Sequence, residues 1–356
     1  MWKLVFLGIC AVLAVCVLAL HSWVWAWAKS PNGGVPAYPA TWPKPLYNFQ
    51  ANPPTSAGIA LGKKLFYDGL LSADGYTSCA SCHQQFAAFS TYDHPLSHGV
   101  NNQFSLRNAP GLFNLAWHTN YHLDGGITHL DAQPLAPITA TNEMGETLEN
   151  VIQKLQNHPV YPALFQKAFG TSKVSTRLFT KAISQFLVTL VSANSKYDRV
   201  MAGTDTFNLP QRLGYELFMA KGCAGCHTPP LFTNFAFENI GLPIDSTLND
   251  YGRMRVTQNP QDSLRFKVPS LRNVQLTMPY THDGRFSSID QVLQHYNSGV
   301  VAHASTSPQL RKGISLTKFQ MGQIKAFLYT LTDTAFVKNK VFADAVVEKP
   351  GMQHHP

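Results

Sequence analysis

The pentapeptide Cys-x-x-Cys-His occurs twice in this chain, as Cys79-Ala80-Ser81-Cys82-His83 and as Cys223-Ala224-Gly225-Cys226-His227. In each copy the two thiols are spaced to add to the two vinyl groups of a haem, and the next residue is placed as the fifth ligand of its iron. A zinc site would need the two pairs close together or a His-x-x-x-His element. A thioredoxin-like dithiol needs one pair in a βαβ context. Two covalently bound c-type haems are therefore expected, on Cys79, Cys82 and His83 and on Cys223, Cys226 and His227. Of the six cysteines, only Cys10 and Cys16 remain, both inside an N-terminal apolar run, so no disulfide framework is left.

The motifs sit in a longer duplication. Leu61-Gly62-Lys63-Lys64-Leu65-Phe66, the first pentapeptide, Ser105-Leu106-Arg107-Asn108 and Asp124-Gly125 are followed in the same order by Leu213-Gly214-Tyr215-Glu216-Leu217-Phe218, the second pentapeptide, Ser270-Leu271-Arg272-Asn273 and Asp283-Gly284. Two long copies point to tandem homologous domains and not to a solenoid, and 356 residues are enough for two. Apolar residues at three- and four-residue steps predict helices over 146–155, 176–191, 210–219, 289–296 and 316–331, with Thr176 and Thr317 as starts. Strand-like alternation is sparse. The expected fold class is mainly α, two tandem cytochrome c-like domains, each wrapped around one covalently attached haem that supplies core volume. The expected division is 55–200 for the N-terminal domain, 201–345 for the C-terminal domain and 346–356 as a tail.

Residues 1–28 carry Lys3, an uncharged apolar run and Ala26-Trp27-Ala28. This reads as a signal peptide, giving an exported, periplasmic protein, or as an uncleaved membrane anchor. Residues 29–54, rich in Pro, Gly, Asn and aromatics, read as an extended linker or a strap over the first domain. The net charge of +8 is spread without a block of like charge, which argues against a nucleic-acid partner.

Beyond the haem motifs, Arg107-Asn108-Ala109-Pro110, Asp124-Gly125, Gln133, Pro137, Glu143-Met144, Leu271-Arg272-Asn273-Val274, Thr277, Pro279-Tyr280, His282 and Gly284 resemble the bacterial dihaem cytochrome c peroxidase family, including its MauG-type enzymes. The resemblance runs from about Leu61 to Leu331. It implies a peroxidatic haem in the N-terminal domain and an electron-transfer haem in the C-terminal one. It implies Glu143 as the acid-base residue and Gln133 as its neighbour, calcium held by Asn108, Thr277 and Pro279, and commonly a homodimer. A carboxylate in a partly apolar pocket suits a proton shuttle between peroxide oxygens; without the resemblance, Glu143 reads as a solvated acid ahead of a helix.

Four positions depart from the family pattern. Val100 stands where many members carry a distal histidine, so the first haem is expected to be open at rest unless His94 or His98 substitutes. Tyr296 stands at the distal methionine position of the second haem, as in MauG-type enzymes, and favours higher iron oxidation states; the alternative is that it only packs on its helix. Leu123 replaces the tryptophan usual between the haems, with Trp117 and Tyr121 nearby, and Gly126 replaces the Arg usual after Asp-Gly. The leading functional reading is reduction of hydrogen peroxide to water with electrons from a small donor such as a cytochrome c or cupredoxin. The alternatives are a MauG-type oxidase of a protein or organic substrate acting through high-valent haems, and a non-enzymatic dihaem electron-transfer protein.

Overall fold

A computed structural model describes residues 36–92 and 94–344. The principal helices are α1 (Ser56–Tyr67), α2 (Leu148–Asn157), α3 (Tyr161–Phe169), α4 (Thr176–Leu187), α5 (Leu209–Ala220), α6 (Ile289–Gln294) and α7 (Lys318–Tyr329). The fold is mainly α-helical. Among the described residues the only named strands are β1 (Phe237–Glu238) and β2 (Phe266–Lys267), antiparallel with Phe237 opposite Lys267.

Local chemistry fixes the helix starts. Thr55 Oγ1 caps α1 by accepting from Gly58 N at 3.0 Å. Asn208 with Gln211 and Thr317 with Gln320 form reciprocal capping boxes on α5 and α7. Thr176 and Thr317 are thus helix starts as expected, Thr176 as the first residue of α4, capped by Ser175, and Thr317 as the cap of α7. The helix expected to run to 296 ends at Gln294 and loosens into a π turn over His295–Gly299.

The two Leu-Gly strings explain the packing of both halves. In the first, α1 crosses α4 at Gly62, where a Cβ would stand 1.8 Å from the Ala182 carbonyl oxygen. In the second, α5 crosses α7 at Gly214, where a Cβ would stand 1.9 Å from the Gln323 carbonyl oxygen. Only glycine lets the helices approach this closely, and each crossing closes a separate apolar core. One core holds Leu61, Leu65, Phe66, Phe89, Ile183 and Phe186; the other holds Phe218, Phe232, Leu293, Ile324 and Phe327. The strap joins the first through Trp42 and Tyr47, and the chain returns to it near its end through Phe336 and Phe342.

The internal repeat has a different register from the one read from the letters. Leu112 N donates to Phe89 O at 3.2 Å as Leu271 N does to Phe232 O at 3.2 Å, and Asn114 N to Leu190 O at 2.8 Å as Asn273 N does to Leu331 O at 3.0 Å. The counterpart of Ser270-Leu271-Arg272-Asn273 is therefore Gly111-Leu112-Phe113-Asn114, and Asn108-Ala109-Pro110 corresponds to Lys267-Val268-Pro269. The match between the two Ser-Leu-Arg-Asn strings is corrected, and their arginines do different work. Arg107 joins the halves, while Arg272 is fully buried, bidentate on Asp198 at 2.9 and 2.7 Å, with Trp42 of the strap over its guanidinium at 4.4 Å.

The membrane anchor, and the partner and location readings that included it, are also corrected. Among the described residues no helix is long and apolar enough to cross a membrane. The longest have 12 residues, about 18 Å of helix against the roughly 30 Å of a bilayer core. The apolar segment 1–28 itself lies outside the described residues.

Candidate functional site

Each pentapeptide forms one helical turn, Cys79–Cys82 or Cys223–Cys226, with its histidine at the C-cap. His83 Nδ1 lies 2.9 Å from Phe89 O. His227 Nδ1 lies 3.1 Å from Pro269 O and 3.3 Å from Phe232 O. With Nδ1 donating to a carbonyl, each ring is oriented and its Nε2 is left for a metal. Burial pushes the His83 imidazole down and the His227 imidazole down to about 4, so both are neutral, as ligands must be. The four cysteines are free, and burial pushes Cys79 up to about 12 and Cys223 up to about 11. These residues fit two c-type haems.

The elements around the first motif bring the expected acid to it. Gln133 and Glu143 flank the short helix Leu135–Thr139, and Glu143 N donates to Ala140 O at 3.0 Å to close the turn. Glu143 is half-buried and near enough to Cys82 to act on its ionisation. Its carboxylate has no hydrogen-bond or ion-pair partner among the described residues, and burial raises its pKa. Val100, 2% exposed, packs on the same turn and donates its N–H to Glu143 O at 2.8 Å. Gly99 makes that approach possible, because a Cβ there would come within 2.2 Å of Asn142 O. His94 and His98 are exposed and meet edge to face at 4.9 Å, with His98 also against Phe104 at 4.6 Å.

Glu146, three residues on, shows what a structural acid looks like here. It is buried, pairs with Lys154 and accepts from Thr147 N at 2.9 Å and Asn150 Nδ2 at 3.1 Å. Its pKa is lowered by those hydrogen bonds and that charge, against the opposing effect of burial.

At the second motif, Tyr296 lies on the π turn after α6. Its phenol is near enough to Cys223 and Cys226 to feel both, and burial pushes its pKa up. A single π turn shifts the side chains that follow it off the α-helical register and is often found at functional sites. His295 Nε2, 2.9 Å from Ile240 O, and the Ile314 N to Tyr296 O bond at 3.0 Å pin the turn.

The halves meet through Arg107, which donates to Asp250 at 2.6 and 2.9 Å and to Asp124 at 2.6 Å. Asp124 therefore keeps an ion pair although Gly126 stands in the Arg position. Arg253 of the second half also donates to Asp124 O at 2.9 Å, in space that a side chain at Gly125 would occupy. Trp117 is committed to the strap, with Nε1 on Pro43 O at 2.7 Å and its ring against Tyr38 and Trp42. Tyr121 hydrogen-bonds Leu115 O at 3.2 Å, and the His118 ring lies between Tyr121 and Phe235. Asn108 N donates to His282 O at 2.7 Å and Asn108 Nδ2 to Pro95 O at 3.0 Å. Among the described residues no group of three His, Cys, Asp or Glu is gathered as a metal site. Asp250, Arg253, His118 and Lys267 were not singled out from sequence, because single charged residues carry no local pattern.

A family model described as Di-haem cytochrome c peroxidase matches residues 56–206. Methylamine utilization protein MauG of Methylorubrum extorquens is 36% identical over 81% of this chain and 82% of its own. Cytochrome c551 peroxidase of Nitrosomonas europaea is 34% identical over 81% and 84%. The chain belongs to the dihaem cytochrome c peroxidase and MauG family. As a family member it is an oxidoreductase, and the family implies two covalently bound c-type haems. A solved MauG-like protein associated with microbial copper homeostasis superposes with a TM-score of 0.78 at 28% identity, covering 87% of this chain and 100% of that one.

Proposed function

We propose that this protein reduces hydrogen peroxide to water, H2O2 + 2H+ + 2e− giving 2H2O, with both electrons drawn from a small redox protein such as a cytochrome c or cupredoxin. The observation that carries the reading is Glu143: an unpaired, half-buried carboxyl of raised pKa beside the first haem motif, backed by Val100, which cannot ligate iron. When bound, the haems supply the iron at which peroxide is reduced and a store for the second electron. Glu143 takes a proton from the near peroxide oxygen and returns it to the far one, and burial, by raising its pKa, strengthens its hold on the proton in between. Gln133, at the other end of the same short helix, orients peroxide through its amide. The Phe89 carbonyl holds His83 in one tautomer. Asn108, Thr277 and Pro279 would hold calcium between the halves, all through oxygen, as that ion prefers.

Tyr296 supports a second reading, MauG-type oxidation of a protein or organic substrate, because its phenol lies by the second motif where a ligand to that haem is expected. Peroxide turnover with a reduced donor tests the first reading. Glu143→Gln is expected to lower it about 10²- to 10⁴-fold with both haems retained; unchanged turnover sinks the role of Glu143. Low-temperature EPR tests Tyr296: a low-spin signal altered by Tyr296→Phe supports ligation, and an unaltered one means that the tyrosine only packs.

A further inference from the structure

The two halves exchange main-chain hydrogen bonds in a symmetric way. Asn108 N reaches across to His282 O at 2.7 Å, and Lys267 N reaches back to Leu123 O at 2.7 Å. The turns that receive them match: Tyr121 N donates to Ile127 O and Tyr280 N to Phe286 O, each at 2.7 Å. In this register Lys267 is the counterpart of Asn108, Asn120 of Pro279 and His118 of Thr277. The place that on one side presents the oxygens proposed for calcium thus presents, on the other, an ammonium and an imidazole.

That ammonium is under-satisfied. Lys267 is 7% exposed, and its Nζ donates to Asn120 O at 2.6 Å. An ammonium has three donors, yet among the described residues no carboxylate lies within ion-pair distance of this one. The nearest acid that acts on it, Asp124, is occupied by Arg107 and the Gly126 N–H. His118 Nδ1 is buried with no hydrogen-bond partner, and the ring lies near enough to Lys267 for its charge to lower the imidazole's pKa further. Arg265 Nε, just ahead of β2, is buried and unpartnered as well. Burial pushes the Lys267 pKa down only to about 8, so the group is still mostly cationic at neutral pH. A buried cation without an anion costs several kcal/mol. A buried ammonium beside an unpartnered imidazole nitrogen suits a carboxylate.

The chain places this cluster on the wall of the second motif. β2 ends at Lys267, and two residues on the Pro269 carbonyl holds His227. Phe235, 4.8 Å from the His118 ring, follows Asn234, whose N–H donates to Cys226 O at 2.8 Å. We propose that Lys267 and His118 receive a propionate carboxylate of the haem carried on Cys223 and Cys226, so that a fixed cation of the chain stands on this side of the junction where the Asn108 side takes a metal ion. This rests on haem attachment as proposed above, and not on peroxide being the substrate.

The test uses the full-length protein with both haems attached, without peroxide. Lys267→Met keeps length and loses charge; Lys267→Arg keeps charge. In a spectroelectrochemical titration, Lys267→Met is expected to raise the oxidised-to-reduced ratio of one haem at fixed potential by about tenfold, as for loss of a unit charge near the ring system. It should also shift the propionate bending band in resonance Raman, and Lys267→Arg should restore both. Two attached haems with unchanged potentials and an unchanged band would overturn the proposal, leaving Lys267 as a tie to Asn120 O. Should Lys267→Met fail to fold, His118→Leu reads the same contact: a shifted propionate band at nearly constant potential supports it, and an unmoved band overturns it.

Discussion

The two halves of this molecule are built to one plan and equipped differently. Both cross two helices at a glycine, both hold the motif histidine through carbonyls of a following loop, and both send one amide across the junction. The first half then places an unpaired acid and an apolar Val100 at its motif, whereas the second places Tyr296 on a loosened helical turn. Shared scaffold residues sit where backbones touch, and divergent residues sit where the chain faces its motif. Duplication thus conserves packing and frees chemistry.

The arginines offer the strongest way to break this comparison. Arg272→Met strands Asp198 in the second half and is expected to cost about 3–5 kcal/mol in denaturant unfolding. Arg107→Met should cost less, about 2–3 kcal/mol, because Asp250 keeps a second cation, Arg255 at 3.8 Å, and Asp124 keeps the Gly126 N–H. Equal losses would mean that the two arginines are equivalent after all.

The glycines test the shared scaffold. Gly62→Ala and Gly214→Ala should each destabilise by about 3 kcal/mol, since a backbone carbonyl and not a flexible side chain blocks the new methyl. A large loss at one and none at the other would show that only one crossing holds its half together.

The smallest effect separates the two acids of the first half by sign. The folded-state pKa of Glu146 is depressed, so its contribution to stability is present above about pH 4.3 and is lost as pH falls through the folded value. The pKa of Glu143 is raised, so its ionisation costs stability as pH rises through the unfolded value, and the penalty persists above the folded value. At neutral pH, Glu146→Gln should lose about 1–2 kcal/mol and keep turnover, while Glu143→Gln should gain a few tenths of a kcal/mol to about 1 kcal/mol and lose turnover. Thermal melts at pH 7 with parallel assays check both; the same sign for the two would end the distinction.

Much of this was legible in the sequence. The pentapeptides carry their spacing in five adjacent letters, the long helices carry a 3.6-residue period, and Thr317 announces a helix by hydrogen-bonding three residues ahead. The register of the repeat was not legible. Ser-Leu-Arg-Asn recurs by letter at places that differ in structure, while the true counterparts, Asn108-Ala109-Pro110 and Lys267-Val268-Pro269, share only the proline that lies by the motif histidine.

By itself, the sequence determined what attaches, how many times and on which kind of scaffold, because covalent spacing and helical periodicity are local properties of a chain. Only the tertiary structure decided that Glu143 stands unpaired while Glu146 is tied down, that Arg107 replaces the partner Gly126 cannot supply, and that a lysine stands opposite an asparagine across the junction. Those outcomes depend on burial and on partners far apart in the chain, and the charge a buried group carries is set by the neighbours that folding brings to it.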